Sequence, residues 1–165
     1  METAGEPDHQ SIIAVDHMAI AVNDLERAID WYASNFNFEV IERRLTRGER
    51  TAMRSAVLKG GDAVIVLVQG TTPESQVAKF IRNFGCGVQH MALRVRDLDA
   101  AIERLSRRST VIDTPIIADD GIRQVFLRRH DESGVRVELI ERKGGEFTDR
   151  SVERLFREFE ANDLY

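Results

Sequence analysis

A stretch of fifteen residues occurs twice in this chain, 73 positions apart, and nothing else in the sequence restricts the fold as much. Val15-Asp16-His17-Met18-Ala19-Ile20-Ala21-Val22-Asn23-Asp24-Leu25-Glu26-Arg27-Ala28-Ile29 aligns with Val88-Gln89-His90-Met91-Ala92-Leu93-Arg94-Val95-Arg96-Asp97-Leu98-Asp99-Ala100-Ala101-Ile102. Nine of the fifteen pairs are identical, both histidines among them. A unit copied within 165 residues predicts one domain of two similar half-units that build one site between them, neither able to close a cavity alone.

Each copy opens on an apolar, strand-like run. Asp24 or Asp97 then stands where a helix N-cap is wanted, and apolar residues follow at helical spacing: Leu25, Ala28, Ile29 and Tyr32, then Leu98, Ala101, Ile102 and Leu105. Three strands are expected after the first helix, near Phe38 to Arg43, Ala52 to Lys59 and Ala63 to Val68, with Gly60-Gly61-Asp62 as a hairpin turn. Three more are expected near Thr110 to Asp113, Arg123 to Arg129 and Val135 to Glu141, with Asp131-Glu132-Ser133-Gly134 turning into the last. The chain therefore reads as an α+β fold of two βαβββ modules, about 12–70 and 86–142, within one domain spanning 11–145. A helix from about Glu74 to Asn83 links the modules, and residues 1–10 read as a disordered lead. Within 146–165 a C-terminal helix, about Asp149 to Glu160, carries Val152, Leu155, Phe156 and Phe159 on one stripe and is expected to dock as a lid.

Composition excludes several classes of function. With 23 Lys+Arg against 28 Asp+Glu the net charge is −5, so the chain lacks the basic field that coats nucleic acid. No apolar run approaches the ~20 residues of a membrane span. The start, Met1-Glu2-Thr3-Ala4-Gly5-Glu6-Pro7-Asp8, is acidic where a secretory signal is basic then apolar, and Cys86 is the only cysteine, which together point to the cytoplasm. Cys86 has no nearby base and is expected to be a small buried side chain, while His130 is expected at the surface and His9 in the lead.

A mid-strand histidine is more often a hydrogen-bonded structural residue than a ligand. Two of them at equivalent places in two copies are brought together by a pseudo-twofold axis, and packing gives no reason to keep an imidazole twice between apolar neighbours. Glu138, within Val135-Arg136-Val137-Glu138-Leu139-Ile140, is the expected third member, because a carboxylate buried in such a run costs several kcal/mol unless a cation meets it. The alternative places Glu138 at a solvent edge, paired with Arg136 or Arg123. The matching place in the first copy is Ile65 or Val66, both apolar. Two imidazoles and one carboxylate leave roughly three positions of an octahedral ion open, which suits Fe(II) binding a chelating substrate and O2; a structural zinc site would close with four protein ligands.

These residues are similar to those of the vicinal-oxygen-chelate superfamily, which includes glyoxalase I, methylmalonyl-CoA epimerase and the extradiol dioxygenases, over about residues 12 to 142. Within it, Met53-Arg54-Ser55, Ser75-Gln76-Val77, Gly87-Val88-Gln89-His90-Met91-Ala92-Leu93, Asp119-Asp120-Gly121 before Gln124-Val125-Phe126, and Glu138-Leu139-Ile140-Glu141-Arg142 resemble the catalytic C-terminal half of 4-hydroxyphenylpyruvate dioxygenase and hydroxymandelate synthase. Leu155-Phe156-Arg157-Glu158-Phe159-Glu160 resembles their C-terminal gating helix. The resemblance implies His17, His90 and Glu138 as ligands of Fe(II), or of another divalent ion among Co, Mn, Ni and Zn. It implies Gln124 and Gln89 as catalytic side chains, with Ser55, Gln69, Gln76, Gln89, Gln124, Phe156 and Phe159 around a small-molecule substrate, a 2-oxo acid or similar chelator that reacts with O2. No nucleic-acid or membrane partner is expected, and a homodimer is an option because superfamily members often pair.

Two departures bear on the substrate. The stretch before Asp119 is short, Ser109 to Pro115, and Val152 stands where the resembled enzymes have an aromatic residue against the substrate ring, so a smaller or aliphatic 2-oxo acid, or a specialised-metabolite substrate, is as well suited as an aryl pyruvate. The strongest rival resemblance is to methylmalonyl-CoA epimerase, through Asp24 to Ile29 and Ser75 to Phe80. There an ion stabilises an enolate while carboxylates move the α-proton, and a glutamine joins the metal set where this chain has Val66. In that reading Arg43, Arg44, Arg47, Arg50 and Arg54 would hold a CoA phosphate; otherwise they are a solvated hairpin. A metal-free binding module is the third reading, but such modules usually discard the metal residues.

Overall fold

A computed structural model describes residues 12–165; the expected lead at 1–10, with His9, lies outside the described residues. The elements run β1 (Ile12–Ala21), α1 (Leu25–Phe36), β2 (Glu39–Arg47), β3 (Ala52–Gly60), β4 (Ala63–Gly70), α2 (Gln76–Phe84), β5 (Gly87–Val95), α3 (Leu98–Arg107), β6 (Ile117–Asp119), β7 (Ile122–Phe126), β8 (Arg136–Arg142) and α4 (Asp149–Ala161). This is the expected α+β arrangement of two βαβββ units with a connecting and a C-terminal helix. Among the described residues no helix is long and apolar enough to cross a membrane.

The duplication is visible at the level of single hydrogen bonds. Asp24 accepts from the Arg27 amide at 3.0 Å and Asp97 from the Ala100 amide at 2.9 Å, each closing the first turn of its helix. The two caps share one backbone conformation, φ −137° and ψ 106° against φ −138° and ψ 108°. Leu25 and Ile29 of α1 then pack on Ala56, Leu58, Ile65 and Leu67, while Leu98 and Ala101 of α3 pack on Val95, Val125 and Leu139. Each half thus has its own small core between one helix and one face of its strands.

All eight strands form one mixed sheet in the order β2-β3-β4-β1-β5-β8-β7-β6. β4 lies parallel to β1 and β8 parallel to β5, and the halves meet where β1 runs antiparallel to β5. Because strand side chains alternate between faces, Ile65 and Leu67 point to α1 whereas Val66 and Val68 turn to the opposite face. That opposite face carries the site.

One expected strand is moved. Thr110 to Asp113 is not a strand: Ile112 makes a single bridge to Leu127, and the outermost strand of that half is Ile117–Asp119. The Thr114 hydroxyl accepts from the Phe126 amide at 3.0 Å, and Pro115 has no amide to continue a ladder, so pairing stops and restarts. It restarts through the Asp120-Gly121 turn, where φ of +34° and +79° suits a tight hairpin, and β7 ends at Phe126 rather than Arg129. Cys86, expected to be buried, is exposed on the stretch between α2 and β5.

α4 begins with a capping box between Thr148 and Ser151 and lies against β2 and β6. Its far end is anchored by a buried carboxylate. Glu160 accepts from the Glu49 amide at 2.7 Å, the Thr51 amide at 2.8 Å and the Thr51 hydroxyl, filling the turn between β2 and β3. Burial opposes its charge, yet the Thr51 and Glu49 donors outweigh that and hold the group below its usual 4.5. A depressed carboxylate contributes stability that is complete above the ordinary value and is lost as pH falls through the folded one. The variant E160Q is therefore expected to lose about 1–3 kcal/mol in urea unfolding at pH 7, with the gap to wild type closing at acid pH; equal midpoints at pH 7 would contradict this anchoring.

Candidate metal centre

The β1–β5 register places His17 opposite Ala92 and His90 opposite Ala19. Each imidazole therefore faces a methyl group across the seam and its fellow imidazole on the diagonal, with ring centroids 5.6 Å apart and planes at 80°. β8 runs beside β5 with Glu138 next to Ala92, and its Oε2 lies 3.4 Å from His17 Nε2 and 3.3 Å from His90 Nε2. The three donor atoms lie within 4.8 Å of one another. Glu138 is interior to the sheet and 1% exposed, so the solvent-edge alternative does not hold: Arg136 pairs with Asp113, and Arg123 with Asp99.

Register also settles the equivalent of Glu138 in the first half. Ala19 pairs with Val66 as its repeat partner Ala92 pairs with Glu138, so the fourth symmetric position is Val66. Two nitrogens and one oxygen converge and the fourth corner is apolar.

The charges in this cluster are interdependent. Burial alone would disfavour an imidazolium at His17, but Glu138 and Asp16 outweigh it and lift the group to about 9. Burial pushes His90 down, and burial of Glu138 is outweighed by His17, which holds the carboxyl at about 2. His17 and Glu138 thus each favour the other's charged form. Glu138 Oε1 is buried without a hydrogen-bond partner among the described residues. A buried carboxylate with a free oxygen, facing two Nε2 atoms, fits a divalent cation better than it fits one proton.

The cavity in front of these groups has a volume of ≈ 110 Å³. Ser55 and Gln124 line it with His17, His90 and Glu138, and Val57, Val66, Val68, Val152 and Leu155 make its walls apolar. Gln124 is 1% exposed and its Oε1 has no partner among the described residues, so it offers an acceptor toward the cavity. Gln76, Gln89, Phe156 and Phe159 instead line a neighbouring apolar pocket of ≈ 70 Å³ that shares His90. There Gln76 donates to the Phe159 carbonyl at 2.7 Å, and the Gln89 amide oxygen is engaged by His90 Nδ1. Gln69, expected beside a substrate, reaches neither pocket: its Oε1 accepts from the Leu25 amide at 3.0 Å, and Glu141 does the same for Leu98 at 2.8 Å in the second half. It completes the first turn of α1.

Of the arginines on and between β2 and β3, Arg43 and Arg54 pair with Glu26 at the surface, and Arg50 donates to the Glu160 carbonyl. Arg44 turns inward to the cavity, held by Asp149 at 2.7 Å and Glu42 at 2.5 Å. His130 is exposed, as expected. Residues that the sequence reading passed over include Asp16, bonded to His17 Nδ1 at 2.9 Å, and Phe147, whose ring lies edge-on to His17 with centroids 5.9 Å apart. The signal for Asp16 was its place beside the repeated histidine. Phe147, between β8 and α4, left none.

The family profile of the Glyoxalase/Bleomycin resistance protein/Dioxygenase superfamily matches residues 14–139. The 4-hydroxyphenylpyruvate dioxygenase of Caenorhabditis elegans is 28% identical over 148 residues, which take in 86% of this chain and 37% of the worm protein. A variant of 4-hydroxymandelate synthase from Streptomyces coelicolor shares the fold, with a TM-score of 0.83 and 19% identity over 97% of this chain and 56% of that one. Methylmalonyl-CoA epimerase from Mycobacterium tuberculosis is 31% identical with a TM-score of 0.67, over 84% of this chain and 93% of its own. The chain thus spans well under two thirds of the dioxygenase's length.

If Gln69 is a helix-capping group, Q69A should lower unfolding stability by about 0.5–2 kcal/mol and leave metal uptake at the wild-type level. Lost metal uptake at unchanged stability would place Gln69 in the site instead.

Proposed function

This chain belongs to the Glyoxalase/Bleomycin resistance protein/Dioxygenase superfamily, and we propose that it is a mononuclear non-haem Fe(II)-dependent dioxygenase acting on a 2-oxo acid or a similar chelating small molecule. His17, His90 and Glu138 are the proposed ligands. The observation that carries the reading is Val66 at the fourth symmetric corner, which leaves three converging donors among the described residues and room for substrate and O2 beside them. Fe(II) held there would supply Lewis acidity toward two neighbouring substrate oxygens and one-electron chemistry toward O2.

The protein's own part is orientation and exclusion of water. Ser55 and Gln124 offer neutral polar groups to the organic part of the substrate, fixing its orientation without adding charge. Val152 and Leu155 of α4 close the cavity and Phe156 and Phe159 the pocket beside it, so the proposed lid keeps bulk water from the reacting groups. The apolar walls suit an aliphatic tail on the substrate. A cytoplasmic setting suits both Fe(II) and the exposed thiol of Cys86.

A second reading, a metal-dependent epimerase of the methylmalonyl-CoA type, is favoured by one observation: a second carboxylate, Glu42, lines the cavity and is available as a base for an α-proton. Its ion pair with Arg44 counts against that use.

Protein loaded with Fe(II) without oxygen is expected to hold about one ion per chain, and H17A and H90A each to lose most of it. A panel of short-chain 2-oxo acids is expected to include one that drives O2 consumption. Unchanged metal content in both variants would contradict the site. Solvent deuterium entering a 2-methylmalonyl thioester without O2 uptake would contradict the oxygenase and favour the epimerase.

A further inference from the structure

The geometry points to Asp16 as the positioning residue that makes His17 the stronger of the two imidazole donors, a role its counterpart Gln89 does not duplicate. The inference rests on the proposed metal site. The repeat aligns position 16 with position 89, and both side chains reach Nδ1 of the histidine that follows. Their chemistry differs. Gln89 is a neutral amide that presents an acceptor at one end and donors at the other, so it does not by itself dictate which ring nitrogen of His90 carries the proton.

Asp16 leaves no such choice. Its side chain is 2% exposed and is gripped by two guanidiniums: Arg94 donates to Oδ2 from Nε at 2.9 Å and Nη2 at 2.8 Å, and Arg142 donates from Nε to Oδ2 at 2.7 Å and from Nη2 to Oδ1 at 2.8 Å. A carboxylate in that position only accepts. His17 Nδ1 therefore donates, which leaves Nε2, on the side of Glu138 and the cavity, as the nitrogen that would hold an ion. A hydrogen bond to an anion also raises the donor strength of the ring, as outer carboxylates do for metal-bound histidines generally.

The same clamp orients the ring. Arg142 lies over the face of Phe147, 4.9 Å from its centroid, and Phe147 in turn abuts His17. Asp16 and His17 belong to the first half, whereas Arg94 and Arg142 come from β5 and β8 of the second. The second half therefore holds the first half's donor in place across the seam.

The test is Co(II) titration of the full chain, read by d–d absorption and a competing chelator, beside thermal melting of the metal-free protein. D16N is expected to weaken Co(II) about 10–100-fold and to alter the visible bands, and Q89A to weaken it by a clearly smaller factor. If D16N does not fold because Arg94 and Arg142 lose their anion, D16E decides. It keeps the charge but displaces the oxygen by one methylene, so Co(II) binding should fall at a near-normal melting temperature. Wild-type affinity and spectrum in the folded variant, or an equal loss from Q89A, would overturn the inference. H17A separates it from its premise: if H17A binds Co(II) as wild type does, the metal site itself fails, and this assignment with it.

Discussion

A carboxylate buried among apolar strands costs several kcal/mol unless positive charge meets it, and Glu138 is such a carboxylate. Its neighbours along β8, Leu139 and Ile140, belong to the cores of the second half. The group is tolerable because β8 lies beside β5 and β5 runs against β1, which brings two Nε2 atoms to within 3.4 Å of its Oε2. Slip β8 against β5 by one residue and Glu138 would turn toward α3; slip β1 against β5 and His17 would leave the shared face. Sheet order, seam and site are thus one constraint seen at three scales.

The asymmetry between the halves is what leaves the proposed site open on one side. A perfect repeat would put a carboxylate at Val66 as well, closing the set with four protein donors and doubling the buried negative charge. With valine there, one side of the cluster stays apolar and open to the cavity. α4 then covers that cavity, held at one end by the Thr148 and Ser151 cap with Arg44 on Asp149, and at the other by Glu160 in the turn between β2 and β3. Both anchors are side-chain contacts at the two ends of α4, the helix proposed as a lid.

Much of this was legible in the residues. The repeat fixed which strands pair at the centre, because two like halves around a pseudo-twofold axis meet through like strands. The Asp24 and Asp97 caps and the apolar spacing after them specified α1 and α3 locally. Glu138 could be singled out because an acidic residue inside an apolar strand needs a reason. What was not legible depended on contacts between distant segments. Gln69 looked like a cavity amide but serves the first turn of α1, since its direction follows from β4's parallel pairing with β1. β6 sits where Pro115 and Thr114 let pairing restart, a tertiary outcome with no local periodicity. Asp16 was masked by the very alignment that revealed His17, because its partner in the second copy is a glutamine.

Three side chains, and no fourth, are proposed to hold one cation at the seam. Anomalous diffraction from crystals of the protein loaded with Fe(II) or Co(II) tests it most directly. A single strong peak is expected, bonded to His17 Nε2, His90 Nε2 and a Glu138 carboxylate oxygen, with non-protein ligands on the side of Val66. A peak elsewhere, or a Glu138 side chain turned away from both imidazoles, would contradict it.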